Sequence, residues 1–159
     1  MFDAPPDAWY TCVAVALASV AVTGVATDLP SQPAPDAAAA AANTVDAVAG
    51  STYASAAEHP LDADRVRLRP QRLALRTDGE TSHATFAFGP VVPVGNDPAL
   101  ARVARGVPPG RAFASLTAFE AAIETARERA SAAGWRPAAD RLVVRHLEWG
   151  DVDVTLVDA

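Results

Sequence analysis

Five arginines hold the strongest binding chemistry in the chain: Arg65, Arg67 and Arg69, followed by Arg72 and Arg76. A guanidinium group offers a planar fork of N–H donors that matches a carboxylate or a phosphate bidentately, and it stays charged at physiological pH. In Arg65-Val66-Arg67-Leu68-Arg69 the arginines alternate with apolar residues, as on a strand with one wet face. Pro70 interrupts the pattern and Arg72-Leu73-Ala74-Leu75-Arg76 resumes it. The simpler account, which the sequence favours, is a solvated face balanced by the nearby Asp62, Asp64 and Asp78. The functional account is a surface that docks an acidic partner. Nucleic acid is excluded as that partner by the net charge of −6.

A second group lies near the C-terminus. A hairpin turning at Gly150-Asp151 sets Glu148 opposite Asp153, with His146 two residues away on the same face. Two carboxylates and an imidazole suit a cation or a hydrolytic centre. No further ligand residue or pocket is visible around them, so an acidic surface is the simpler reading. His59, His83 and His146 fall in different elements, and none is spaced i, i+4 from another ligand. Cys12, the only cysteine, sits inside an apolar stretch, which excludes a disulfide scaffold. No nucleophile elbow, phosphate loop, dinucleotide fingerprint or zinc motif occurs. The expectation is therefore a non-enzymatic protein with no catalytic, cofactor-binding or metal residues and no small-molecule substrate.

The elements that position these residues begin with a charge-free stretch. Ala8–Thr27 contains no charged residue, and 15 of its 20 positions are Ala, Val, Leu, Trp, Tyr or Cys. A helix of that length spans about 30 Å, the thickness of a hydrocarbon core. Trp9 and Tyr10 suit the membrane interface. The reading is a tail at 1–8 and a single-pass transmembrane helix at 9–27, embedded in membrane lipid. The alternative is a secretory signal cleaved near Gly24-Val25-Ala26, which would leave a secreted or soluble binding domain; Asp3 and Asp7 stand where such a signal carries positive charge. A proline-rich linker follows at 28–36, and its stalk-like character places the main domain on the extracytoplasmic side.

Residues 37–159 read as one α+β domain. Asp36 caps a helix that starts at Ala37, with the alanine run 37–42 as part of the stalk. That helix continues through Val45, Val48, Thr52 and Ala56, ending or bending at Gly50-Ser51, and the segment closes at His59-Pro60. Asp78-Gly79 predicts a type I′ hairpin with Leu73 opposite Ala84 and Leu75 opposite Ser82, and with Phe86 and Phe88 on the leucine face. Asp97 to Arg105 reads as a short helix. Thr117 and Glu120 form a capping box for a longer one, which ends at Ala133 with Gly134 as its cap. Arg141–Trp149 and Val152–Val157 make the second hairpin. The expected architecture is an antiparallel sheet of two hairpins with helices on one side, over a core that includes Phe86, Phe88, Phe113, Phe119, Ile123 and Trp149.

All 13 basic residues are arginine, Asp outnumbers Glu by 13 to 6, and 38 residues are alanine. This balance resembles proteins of salt-loving archaea, whose self-repulsion is screened by salt. The layout also resembles the single-pass pilin-like proteins of archaea. More narrowly, His59-Pro60-Leu61, the strand Arg65–Leu68 and Phe86-Ala87-Phe88-Gly89-Pro90-Val91 are similar to an uncharacterised haloarchaeal family of small membrane-anchored proteins. The resemblance implies an accessory component of a type IV pilus-like or secretion assembly, with other membrane or envelope proteins as partners. Met1–Ala8 lacks the basic residue and glycine that precede the apolar core of a prepilin, which fits an accessory subunit better than a filament subunit.

Overall fold

The computed structural model describes residues 36–159. The expected tail, transmembrane helix and linker up to residue 35 lie outside the described residues. Among the described residues no helix is long and apolar enough to cross a membrane.

Helix α1 spans Ala37–Ala49. The Asp36 carboxylate accepts from the Ala38 N–H at 3.3 Å, so the N-terminus lies where capping chemistry predicts it. The alanine run does not act as a stalk. Ala38 and Ala41 are fully buried and Ala42 nearly so, in line with Val45 and Val48. Their methyl groups let the helix backbone approach a sheet closely, and a run of identical residues hides which face does so. Helix α1 ends at Gly50, one of the two outcomes expected at Gly50-Ser51, so Thr52 and Ala56 lie beyond it. Residues Ser55–Pro60 form instead the strand β1.

The remaining strands are β2 (Arg65–Arg69), β3 (Arg72–Thr77), β4 (Glu80–Thr85), β5 (Val92–Pro93), β6 (Arg136–Pro137), β7 (Arg141–Trp149) and β8 (Val152–Asp158). The helices after α1 are α2 (Pro98–Ala104), the single turn α3 (Pro109–Ala112) and α4 (Leu116–Ser131). Both expected hairpins form with the expected register. Leu73 pairs with Ala84 and Leu75 with Ser82. Asp78 and Gly79 both have positive φ, 50° and 85°, as a type I′ turn requires. Glu148 pairs with Asp153 across the second hairpin, where Gly150 supplies the positive φ.

The hairpins do not share a sheet. Sheet 1 has the order β1-β7-β8-β5 and sheet 2 the order β4-β3-β2-β6. All pairings are antiparallel except β5 with β8. One core gathers α1, the inner residues Val66, Leu68, Leu73 and Leu75 of sheet 2, and Leu142, Val144 and Val157 of sheet 1. A second core lies on the other face of sheet 1, where Leu147, Val154 and Leu156 meet Leu100 and Val103 of α2 and Phe119, Ile123 and Ala126 of α4. Sheet 1 is thus covered on both faces, and helices lie on both sides of it. The expected arrangement of helices on one side of one sheet is corrected accordingly.

Three local expectations also change. Helix α4 is capped by Ser115, whose hydroxyl accepts from the Ala118 N–H at 3.2 Å. Thr117 therefore lies inside the first turn and heads no capping box. The helix ends with Ala132 as its cap, two residues before Gly134, which frees the following residues to run into β6. Phe88 is 56% exposed and only Phe86 enters the core. The strand ends at Thr85, and the Asp46 carboxylate then holds the loop over α1 by accepting from the N–H groups of Ala87 and Phe88 at 2.9 and 3.1 Å.

Candidate docking surface

The alternation of β2 puts Val66 and Leu68 into the core and leaves Arg65, Arg67 and Arg69 on the outer face of sheet 2. Antiparallel pairing then decides what stands beside them. Arg65 is opposite Arg76, Arg67 opposite Ala74, and Arg69 opposite Arg72. Residues directly opposite share a face, so the five arginines form one field across two strands. The neighbouring strand β4 adds Thr81, His83 and Thr85, the partners of Arg76, Ala74 and Arg72. Among the described residues the paired positions of this field include no acidic side chain.

The field is organised around a residue that the sequence reading did not single out. Pro137 pairs with Arg65 and Arg136 with Val66, so alternation returns Trp135 to the arginine face. The guanidinium carbons of Arg67 and Arg76 lie 4.8 and 4.6 Å from the centroid of its ring. Each such contact contributes about 0.5–1 kcal/mol at an exposed site. Because Trp135 reaches Arg76 from the far side of β2, the cluster spans β2 and β3. Ala74, beside both arginines, is only 1% exposed. Arg76 is fixed further by a bond from its Nε to the hydroxyl of Thr81 at 3.3 Å. The only local sign of Trp135 was its place beside Arg136-Pro137. Its role depends on pairing with a strand about 70 residues earlier.

The balancing carboxylates expected from Asp62, Asp64 and Asp78 do not engage these arginines. Among the described residues, ion pairs join Arg105 to Asp158, Arg127 to Glu124 and Arg141 to Glu58, and none includes an arginine of this face. Asp64 instead accepts the Asp78 N–H at 3.0 Å and ties the start of β2 to the hairpin turn. The Nε of Arg69 is buried and has no hydrogen-bond partner among the described residues. Like charges directly opposite on neighbouring strands are destabilising, and this face contains two such pairs.

The second candidate group is divided by burial. His146 is 5% exposed, and its Nδ1 lies 3.3 Å from the hydroxyl of its cross-strand partner Thr155 and 3.4 Å from Asp153. Glu148 is exposed, and the Asp153 side chain is 66% exposed. The imidazole is thus committed to the packing of β7 on β8, while the two carboxylates face water. Among the described residues no three His, Cys, Asp or Glu side chains are placed to hold a metal ion. His59 meets the Thr44 hydroxyl at 3.2 Å, and His83 is exposed on the arginine face.

A family model, described as a family of unknown function (DUF7283), matches residues 3–147. The chain belongs to DUF7283. Neither the curated proteins nor the solved structures provide a match. The DUF7283 span includes the whole of sheet 2 and therefore every residue of the arginine face, and it ends within β7.

Proposed function

We propose that this DUF7283 protein is a non-enzymatic, membrane-anchored envelope protein that presents the outer face of sheet 2 to a protein partner. One observation carries the docking part. On one face of β2 and β3, five guanidinium groups stand together without an ion-pair partner among the described residues, two of them against Trp135, which is a binding chemistry. The anchor part rests on the uncharged Ala8–Thr27 stretch and the proline-rich linker behind it. The resemblance to archaeal single-pass pilin-like proteins supports a place as an accessory subunit of a pilus-like or secretion assembly. The linker supports an extracytoplasmic position for the folded domain, and the composition supports a salt-loving source.

Carbonate washing of membranes from cells that make the full chain tests the anchor. Retention in the pellet is expected, and release into the wash overturns it. Gly24-Val25-Ala26 supports a second reading, a secreted binding domain with a cleaved signal. N-terminal sequencing of the mature protein separates the two, since a start at Met1 or Phe2 excludes cleavage.

A further inference from the structure

We infer that the arginine face binds an extended acidic segment of a partner protein, in which carboxylates recur at every second residue. The inference rests on the docking part of the function proposed above and is independent of the anchor.

The first argument is spacing. Arg65, Arg67 and Arg69 share a face on β2, so their Cα atoms recur at about 6.6–7 Å, with the next strand about 5 Å to the side. A polypeptide in extended conformation repeats its same-side residues at the same interval. Carboxylates at alternate positions of such a segment therefore fall in step with the guanidinium forks, each capable of a bidentate pair.

The second argument is the cost that the free face carries. Arg65 faces Arg76 and Arg69 faces Arg72, and none of the described residues forms an ion pair with them. Arg69 also keeps a buried, unpartnered Nε. Negative charge laid along the face relieves both repulsions at once. The third argument is preorganisation. Trp135 already holds Arg67 and Arg76, so less side-chain freedom is lost when they bind.

The same contacts disfavour nucleic acid. Single strands gain affinity from bases stacked on aromatic rings. The indole of Trp135 on this face is already covered by two guanidinium groups.

The test uses the full chain in neutral detergent and a fluorescent peptide of alternating glutamate and threonine. Its control is the same peptide with glutamine in place of glutamate. Fluorescence anisotropy should show the acidic peptide binding at least about tenfold more tightly than the control, with affinity falling as salt rises. Arg67→Gln with Arg76→Gln should weaken binding by about tenfold or more, since two charge-assisted pairs are lost. That variant also strips Trp135 of its contacts. Arg65→Gln with Arg72→Gln is therefore the second variant, because both residues are exposed and away from the ring. It should weaken binding severalfold while the melting temperature holds or rises. Equal binding of the glutamine peptide overturns the inference, as does indifference to both variant pairs. Stronger displacement of the peptide by oligothymidylate, or by phosphatidylglycerol micelles, than by unlabelled acidic peptide also overturns it. Lost peptide binding with retention in the carbonate pellet removes the docking reading and leaves the anchor. Intact binding with release into the wash does the reverse.

Discussion

Sheet 1 contains one tight hairpin and sheet 2 contains two, at Pro70-Gln71 and Asp78-Gly79, and their strands have different textures. In β8 the four consecutive residues Val154, Thr155, Leu156 and Val157 are all buried. In β2 the sequence Arg-Val-Arg-Leu-Arg alternates between exposed or half-buried arginines and buried apolar residues. A sheet packed on both faces needs apolar residues on both, whereas a sheet with one wet face needs them only at every second position. The difference governs where binding chemistry can sit. Polar groups within the covered sheet are committed to the fold, as His146 is to Thr155. Among the described residues, the side-chain partners of the guanidinium groups on the open face of sheet 2 are Trp135 and Thr81.

Breaking the covered sheet should have the largest effect. Leu156 is fully buried in the second core. Leu156→Ala should cost about 2–5 kcal/mol, read by chemical denaturation. A loss below about 1 kcal/mol would mean that the α2 and α4 side of sheet 1 is loosely packed, and the contrast between the sheets would weaken. A middle-sized effect tests the helix that covers this side. Ser115→Ala should cost about 1 kcal/mol, and Thr117→Ala should stay within about 0.5 kcal/mol. The reverse order would restore the capping box and shift the start of α4. The smallest effect is expected on the open face. Arg65→Thr removes one of two opposed like-charge pairs and should stabilise the protein by a few tenths of a kcal/mol to about 1 kcal/mol. The same substitution should weaken the acidic peptide. A stability gain with a binding loss would mark the face as kept for recognition at some expense of stability. Destabilisation by Arg65→Thr would instead assign the arginine a structural role.

What could be read from the sequence follows from how local each signal is. Asp78-Gly79 and Gly150-Asp151 are two-residue turns that set their own strand registers, so the pairs Leu73–Ala84 and Glu148–Asp153 were accessible at once. Asp36 next to Ala37 was likewise a self-contained cap. Strand β1 was not accessible, because Ser55–Pro60 has its partner in β7 more than 80 residues later, and Ala56-Ala57 suits a helix as well as a strand. The burial of Ala38, Ala41 and Ala42 was hidden for a related reason, since identical small residues form no apolar stripe. One residue of the candidate site shared this limit. The five arginines and their common face followed from alternation and one turn. Trp135 required β6 to pair with β2, and no local motif announces that pairing.

The sequence by itself determined the hairpins at Asp78-Gly79 and Gly150-Asp151, the α1 cap, the buried stripe of α4 and the alternation of β2. These depend on turn chemistry and periodicity within a few residues, where the chain has few alternatives. Only the tertiary structure decided that the hairpins belong to separate sheets, that the alanine helix is core, and that Trp135 lies beneath two of five arginines without carboxylate partners. Those outcomes depend on contacts between distant segments, and the energies that select them come from surfaces buried together.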